Sequence, residues 1–229
     1  IARLDEERER IASSLNNRGY FDFTVNNISY EVDTLGGNNV ADVTMIVRPT
    51  LQGYNERGVP QWEDNSVYRI RNINIFPTYD PMLRSTHGFK AGAVIDTTSY
   101  YGLNIIRDVN STPRLRDAVL RRVVPIYPNY IYSADQIKHT YNELMSLGFF
   151  RNAKISFARL ADEDSFVTYV GEENDGELLD TRERYLECDI YCTPALKQSM
   201  KVELEASTTS TFYGFSATLG YSNNNVFRG

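Results

Sequence analysis

The apolar positions of the chain change their spacing near residue 148. Before that point, apolar residues recur on one face of a helix: Ile137, Tyr141 and Leu144. Ser133 and Gln136 have the spacing of a capping box, which predicts that the helix begins there. Gly148 suits the left-handed conformation that ends helices. Ile155 and Phe157 then alternate with polar residues, so the period becomes two and predicts a strand.

An earlier stretch repeats this order. Residues 3–17 have the charged pattern of a surface helix, and Leu15 precedes Gly19 by the same four residues that separate Leu144 from Gly148. Two runs of alternating apolar residues follow, around a Gly-Asn turn at 36–39. They are Ile28, Tyr30 and Val32 in the first run and Val43, Met45 and Val47 in the second. The first copy therefore predicts a helix followed by a β-hairpin.

The second copy has additional elements before its helix. Residues 67–76 predict a strand whose apolar parity changes midway, as at a β-bulge. Gly, Ser, Thr and Asp are frequent over 79–111, which we interpret as an insertion with one short strand at 101–107. Pro113, after the capping residue Thr112, predicts the start of a further helix.

This organisation predicts two modules followed by a hairpin. The predicted order of elements in the second copy is strand, helix, helix, strand, strand. The first copy contains only the last helix and the two strands of this order. We therefore expect a partial module over 1–52, whose first strand and helix precede Ile1, and a second module over 67–198. Gly, Pro and polar residues between them predict a linker at 53–66. The predicted fold class is α+β.

The last segment, 199–229, has a different pattern. Two strands of ~9 to 10 residues alternate apolar with small or polar side chains, which is the length and period of transmembrane barrel strands. The apolar positions are Met200, Val202, Leu204 and Ala206, then Tyr213, Phe215, Ala217, Leu219 and Tyr221. An ordinary soluble hairpin has the same pattern, so both interpretations stay open. The apolar faces and open edges predict that this segment pairs with another molecule or packs on its own domain.

The two cysteines, Cys188 and Cys192, lie on the apolar side of an alternating strand that starts at Leu186. Four residues of strand separate their alpha carbons by roughly 13 Å, whereas a disulfide tolerates ~7 Å. We therefore expect two buried free thiols rather than a disulfide, a metal site or a redox pair.

Composition argues against several classes of function. The net charge is −6, from 24 basic and 30 acidic residues without a basic block, which argues against nucleic acid as a partner. The 16 Tyr and 11 Phe favour sheet-containing and outer-membrane-like proteins. His87 and His139 have no catalytic or metal-ligand spacing, so we expect no enzyme, no cofactor and no metal. The acidic stretch 162–180 is more typical of a solvated loop than of a calcium site.

The order of elements resembles a known family. The pattern L-x-x-L-G-F-F at 144–150 and the pattern L-x-x-x-G-Y-F at 15–21 are similar to the polypeptide-transport-associated (POTRA) domain. The segment 197–229 resembles the junction at which the last POTRA domain of BamA/TamA-type outer-membrane assembly factors enters the barrel. The family has Gly in the turn before the second helix, where this chain has Asn129, and Asn tolerates a left-handed conformation. The insertion at 79–111 has no counterpart in the family.

The resemblance implies tandem POTRA-like modules, each a small mixed sheet with two helices on one face, followed by the first strands of a truncated transmembrane β-barrel. It also implies the periplasmic part of a protein of the cell outer membrane, which binds unfolded outer-membrane proteins and aids their insertion. Accessory periplasmic or lipoprotein subunits and the outer membrane are the further partners. A structural scaffold for accessory envelope proteins and a dedicated two-partner secretion pore are the alternatives.

The resemblance further places the client-binding site. In POTRA domains the strand after the second helix lies at a sheet edge, here 24–33 and 153–159, and an extended client adds a strand there through main-chain hydrogen bonds. The expected client-binding residues are Asn27, Ser29, Glu31, Lys154, Ser156 and Ala158. The alternative is that these edges are solvated or covered by a neighbouring domain.

Overall fold

The computed structural model describes residues 2–33, 41–83, 85, 87–110, 115–160, 184–195, 198–209 and 212–223. Over these ranges the chain has a mixed α+β fold with three α-helices, one short 3-10 helix and eleven strands. The predicted α+β class is therefore confirmed. Within the same ranges, no helix combines the length and apolar character needed to cross a membrane.

The helices are α1 (Ala2–Asn16), α2 (Asp117–Val123) and α3 (Ala134–Ser146), and the 3-10 helix is Val25–Asn27. The strands are β1 (Ile28–Asp33), β2 (Asp42–Val47), β3 (Thr50–Tyr54), β4 (Pro60–Glu63), β5 (Tyr68–Phe76), β6 (Ile95–Tyr100), β7 (Leu103–Asp108), β8 (Phe150–Arg159), β9 (Arg184–Pro194), β10 (Gln198–Thr209) and β11 (Phe212–Asn223). They form three two-stranded sheets, β1-β2, β3-β4 and β10-β11, and one five-stranded sheet in the order β6-β7-β5-β9-β8.

The chain divides into two compact units. The first contains residues 1–71, 127–138 and 157–187, and the second contains residues 72–126, 139–156 and 188–229. Residues of the predicted second module, 67–198, therefore occur in both units, and α3, β5, β8 and β9 each contribute residues to both.

The first helix and hairpin follow the sequence pattern. Helix α1 buries Ala12 together with Phe23 and Ile28, and Gly19 has a φ of 104°, as expected of a residue that ends a helix. Strand β1 pairs antiparallel with β2 and places Tyr30 opposite Met45. The rest of the β1-β2 hairpin is exposed, so most of its alternating apolar residues are not packed against a core. The predicted turn at 36–39 lies outside the described residues.

The linker prediction missed a hairpin. Strands β3 and β4 pair antiparallel through Thr50–Glu63, Leu51–Trp62, Gly53–Gln61 and Tyr54–Pro60. The Gly and Pro content that indicated a linker belongs to the turn and to the irregular register of this short pair. Residues 53–66 are therefore not uniformly irregular.

Part of the predicted insertion, 79–111, belongs to the central sheet, including the one short strand expected within it. Strand β7, predicted at 101–107, runs parallel to β5 with Asn74 opposite Asn104. Strand β6 was not predicted, since five of its six residues are polar or aromatic without alternation. Its pairing with β7 is closed by Tyr101 and Gly102, whose φ values of 46° and 77° fit the two-residue turn of a tight hairpin.

Large aliphatic residues fill the core of the second unit. The fully buried ones are Ile73, Ile75, Leu103, Ile105, Leu120, Ile126, Leu144 and Ile190. In β5 the buried residues at the start of the strand are even-numbered, 68 and 70, whereas the buried aliphatic residues later in the strand are odd-numbered, 73 and 75. The predicted change of parity along this strand is therefore observed.

Helix α2 begins later than predicted. Its first residue is Asp117, after Arg116 in an extended conformation, whereas Thr112 and Pro113 lie outside the described residues. Asp117 forms an ion pair with Arg107 of β7, and a carboxylate in the first turn is favourable for a helix. Helix α3 begins as predicted, because the Gln136 backbone N–H donates to the Ser133 Oγ at 3.4 Å.

The structure confirms both left-handed positions near α3. Gly148 has a φ of 63°, and Asn129, in the turn where the resembled family has Gly, has a φ of 64°. Asn is among the few residues other than Gly that adopt this conformation routinely.

Cys188 and Cys192 are both free and buried on β9, as predicted. Burial raises the pKa of both thiols, that of Cys192 to about 12 and that of Cys188 still further. Both thiols therefore stay protonated and unreactive at neutral pH in the folded chain.

The final segment forms the predicted hairpin. Strands β10 and β11 pair antiparallel over their whole length, from Gln198–Asn223 to Thr209–Phe212. The register aligns the apolar positions of the two strands, with Val202 opposite Leu219 and Ala206 opposite Phe215. The large apolar side chains on this face are exposed, Phe215 to 90 %.

The equivalent glycines Gly19 and Gly148 provide a test of the packing. At Gly19 a Cβ atom would lie 2.7 Å from side-chain carbons of Val67 and Ile131, whereas at Gly148 nothing lies within 4 Å. Gly19→Ala therefore adds a clash to backbone strain, and we expect it to lower the free energy of unfolding by about 2–4 kcal/mol. Gly148→Ala should cost only the strain, about 1 kcal/mol.

Urea unfolding of the two variants beside the wild-type chain measures the difference. Equal losses in the two variants would show that the close approach of Val67 and Ile131 to Gly19 does not contribute.

Candidate strand-edge binding sites

The first candidate site is the edge of β1 that faces away from β2. Strand β1 has a neighbouring strand on one side only, within the part of the chain that the structure describes. Residue exposure rises along the strand, from 1 % at Ile28 to 52 % at Val32. The accessible part of this edge therefore lies in the second half of β1.

The hydrogen-bond pattern shows which backbone groups point outwards. The Arg48 backbone N–H donates to the Asn27 carbonyl oxygen at 2.8 Å, one step before the first pair of the β1-β2 ladder. In an antiparallel ladder, hydrogen-bonded pairs alternate with pairs whose backbone groups point away. Ser29 and Glu31 thus direct their backbone groups to β2, and Tyr30 and Val32 direct theirs to the free edge.

The site prediction is therefore off by one residue on β1. Ser29 and Glu31 were expected to offer their backbone groups to a client, but these groups face β2. The Ser29 hydroxyl is buried without a hydrogen-bond partner in the described part of the chain. The groups available to an added strand belong to Tyr30 and Val32.

Asn27 has a structural position rather than an exposed one. It ends the 3-10 helix and is 5 % exposed. Its side-chain oxygen accepts from the backbone N–H and the hydroxyl of Thr24, and its amide donates to the Arg48 carbonyl and the Thr50 hydroxyl. The prediction that Asn27 binds a client is wrong in its geometry, because its backbone N–H donates to Thr24 and its carbonyl accepts from Arg48.

The second candidate site is β8, the last strand of the five-stranded sheet. Its two ends are held to β9, by a bond from Ala195 N–H to Phe149 O and another from Leu160 N–H to Tyr185 O. Lys154 is exposed, as is Ala158, and Ser156 is half-buried. All three predicted residues therefore lie on a strand at the edge of the described sheet, but alternation from the bond between Leu160 and Tyr185 directs the backbone groups of Ala158 to β9 rather than to the open edge.

The β8 edge carries positive charge. Arg151 and Lys154 are exposed, and Arg159 lies at the end of the strand. Arg159 is engaged, since its guanidinium pairs with Asp22 at 2.5 Å and with Gln52. The two remaining cations, Arg151 and Lys154, make this edge electrostatically more compatible with an added strand that carries acidic residues than with a basic one.

An aromatic cluster supports the C-terminal end of β8. The Phe21 ring makes edge-to-face contacts with Tyr68, Tyr132 and Phe157, with ring centroids 5.0 to 5.7 Å apart. Such pairs each contribute about 0.5–1.5 kcal/mol beyond their buried area. Sequence reasoning identified Phe21 only as a repeat position, and its partners lie too far along the chain for local periodicity to reveal.

A hydrogen bond links this cluster to the ion pair at Asp22. The Tyr68 hydroxyl donates to Asp22 Oδ2 at 2.5 Å, and burial, with the bond to Asp22, raises the pKa of Tyr68 to about 12. Arg184 pairs with Glu63, and this bond, the largest influence, raises the pKa of Arg184. Both shifts are upward, so Tyr68 and Arg184 keep their protons at neutral pH.

The histidines occupy unrelated places. His87 stacks on Phe76 with ring centroids 4.9 Å apart, and His139 is exposed on α3. Within the described ranges, no group of three or more His, Cys, Asp or Glu side chains is arranged to hold a metal ion.

No protein-family model matches the chain, and no curated protein matches it.

Amide hydrogen exchange tests the assignment of the β1 edge. We expect slow exchange at Ser29 and Glu31, whose N–H groups bond to β2, and fast exchange at Tyr30 and Val32, whose N–H groups face outwards. Strand β2 provides the internal control, because Thr44 and Ile46 lie opposite Glu31 and Ser29 and should be slow too. Equal protection at Tyr30 and Glu31 would contradict the assignment.

Proposed function

We propose that this chain is the periplasmic part of an outer-membrane β-barrel assembly or translocation factor. It binds extended segments of unfolded outer-membrane proteins by β-augmentation and aids their insertion. The observation that carries the proposal is the position of β8, an exposed strand at the end of a five-stranded sheet. An edge of this kind offers a row of backbone donors and acceptors to an incoming strand.

The order of elements supports the POTRA assignment within this proposal. The strand that follows α3 and Gly148 lies at the sheet edge, beside β9, which is the place that the resemblance implies. The equivalent strand after α1 and Gly19, β1, also has one open side. Both proposed modules thus present a strand in the same position after a helix that ends at Gly.

Strand addition suits an unfolded client because backbone bonds read no particular sequence. Side chains of the added strand point alternately to the two faces of the sheet, and a shift of one residue exchanges these faces. A segment with one apolar face can therefore bind with that face on either side of the sheet. Barrel strands have this dyad pattern. The exposed charges of Arg151 and Lys154 add a weak preference without imposing a motif.

The β10-β11 hairpin supports a location at the outer membrane. Its register gathers Met200, Val202, Leu204, Phe215 and Leu219 on one exposed face. The opposite face pairs Lys201 with Gly220 and Glu203 with Thr218. In the proposal this hairpin is the first pair of strands of the barrel, with the apolar face towards lipid.

Site-specific photocrosslinking tests client binding. A photoreactive residue at Val32 or at Lys154 should capture an unfolded outer-membrane protein, because both positions lie on exposed open edges. His139, exposed on α3, is the matched control position and should capture at least fivefold less. Competition by an excess of unlabelled unfolded client should abolish the products.

The identity of the captured protein decides between functions. Capture of constant accessory subunits alone, with no unfolded client, would contradict the proposal and favour a structural scaffold. Equal capture at His139 would mean that the edges have no special role.

Labelling of the hairpin tests the membrane proposal. An environment-sensitive fluorophore on Leu204→Cys should shift to shorter wavelength with detergent micelles, whereas the same probe on Glu203→Cys should shift much less, because the two side chains lie on opposite faces. The native thiols are buried and provide no background. Equal shifts at both positions would contradict a lipid-facing side.

A further inference from the structure

The opposite end of the five-stranded sheet is a second edge, formed by β6. Its residues Ile95, Thr97 and Ser99 are all exposed. The strand is regular, since six consecutive residues pair with β7 without a shift of register. It contributes nothing to the function proposed above.

The backbone groups of these three residues point away from β7. The Val109 N–H donates to the Val94 carbonyl at 2.8 Å, which makes 94 and 109 a hydrogen-bonded pair one step before the pair Ile95–Asp108. By alternation, residues 96, 98 and 100 bond to β7. The N–H and C=O groups of Ile95, Thr97 and Ser99 therefore face the open edge.

Although α2 contacts β6, this edge lacks most of the features that normally prevent strand pairing. Proteins guard edge strands with Lys, Pro or bulges, and β6 has none of them, Asp96 being its single charged residue. Strand β8, by contrast, carries Arg151, Lys154 and Arg159. Of the two ends of the sheet, β6 is the one suited to pairing with a copy of itself.

We propose that β6 pairs antiparallel with β6 of a second copy of this chain, about a two-fold axis through Thr97. In this register Thr97 faces itself and Ile95 faces Ser99 of the other copy, so all three outward residues form hydrogen-bonded pairs. The pairing makes up to about six backbone hydrogen bonds. A register centred on residue 96 would place the two Asp96 side chains opposite each other. A register centred on residue 98 would form fewer backbone hydrogen bonds between the copies.

The side chains are complementary in the same register. Val94, which is 58 % exposed, lies opposite Tyr100 of the other copy, and an aliphatic–aromatic cross-strand pair is favourable. Asp96 lies opposite Thr98 of the other copy, and the Thr98 hydroxyl, which makes only a long bond of 3.5 Å to Asp96 of its own chain, is a donor beside that acceptor. Because the axis repeats each pair, the interface is isologous and closed.

Disulfide trapping tests the register. In Thr97→Cys the two introduced thiols belong to residues whose alpha carbons are ~5.5 Å apart across the axis, within the range of a disulfide. Mild oxidation should therefore give a covalent dimer. Ser99→Cys is the matched control, because its two copies lie ~13 Å apart along the strands and should not crosslink. A mixture of Ile95→Cys and Ser99→Cys chains should crosslink to each other.

Sedimentation measurements over a range of concentrations test the pairing without a crosslink. Thr98→Lys places a cation opposite Asp96 twice and should lower the dimer dissociation constant about two- to tenfold, whereas Thr98→Asp should raise it by a similar factor. Thr97→Pro removes an outward N–H, spares the bonds to β7 and should abolish the dimer. Thermal melts of each variant check that the fold is retained.

Several results would overturn the proposal: a wild-type chain that stays monomeric at every concentration, crosslinking of Ser99→Cys as efficient as that of Thr97→Cys, or a dimer unchanged by Thr97→Pro. The last result would place self-association elsewhere, for example at 198–223. Capture of a client at residue 97, with no dimer, would show that β6 serves a different occupant.

Discussion

The close approach of the chain at Gly19 is the constraint on which the organisation of the first unit depends. The absence of a side chain there lets Val67 and Ile131 come within 2.7 Å of the place where a Cβ would lie. The Gly19 carbonyl accepts from the Tyr68 N–H at 2.9 Å, so the end of α1 is bonded to the start of β5. A larger residue would clash with the side chains of Val67 and Ile131, so these segments would have to move apart.

The end of α1 also fixes the start of α3. Asn17 accepts the Asp135 backbone N–H at 2.9 Å and donates from its side-chain amide to the Asp135 carboxylate at 2.7 Å. It thereby satisfies one of the free donors in the first turn of α3, as a capping residue does. The residues around Gly19 thus hold both β5 and α3, and the repeated motif has a different role in each copy. No atom lies within 4 Å of the place where a Cβ of Gly148 would lie, whereas Gly19 is packed against Val67 and Ile131.

Local sequence patterns predicted most elements but not the direction of their backbone groups. The pattern of a surface helix predicted α1 and α3, and alternation, which shows which residues share a face of a strand, predicted β1, β2, β8 and β9. Whether Ser29 or Tyr30 directs its N–H to the open edge depends instead on the pairing with β2, which the bond between Arg48 and Asn27 reveals. Strands β3, β4 and β6 were missed because they lack alternating apolar residues, and each is defined instead by its pairing with the neighbouring strand of a hairpin. The edge position of β8 was expected from the resemblance and is present.

The two ends of the five-stranded sheet differ in a way that connects the proposals. Cations at Arg151 and Lys154 make β8 unfavourable for pairing with itself, because two copies would bring like charges together. The neutral centre of β6 around Thr97 has no such barrier. If β6 pairs with its copy, the sheet continues through the axis and a β8 strand lies at each outer end. Self-association would then leave both β8 edges open, and, if β8 binds clients as proposed, a second copy would double the number of strands that a long unfolded chain can meet at once.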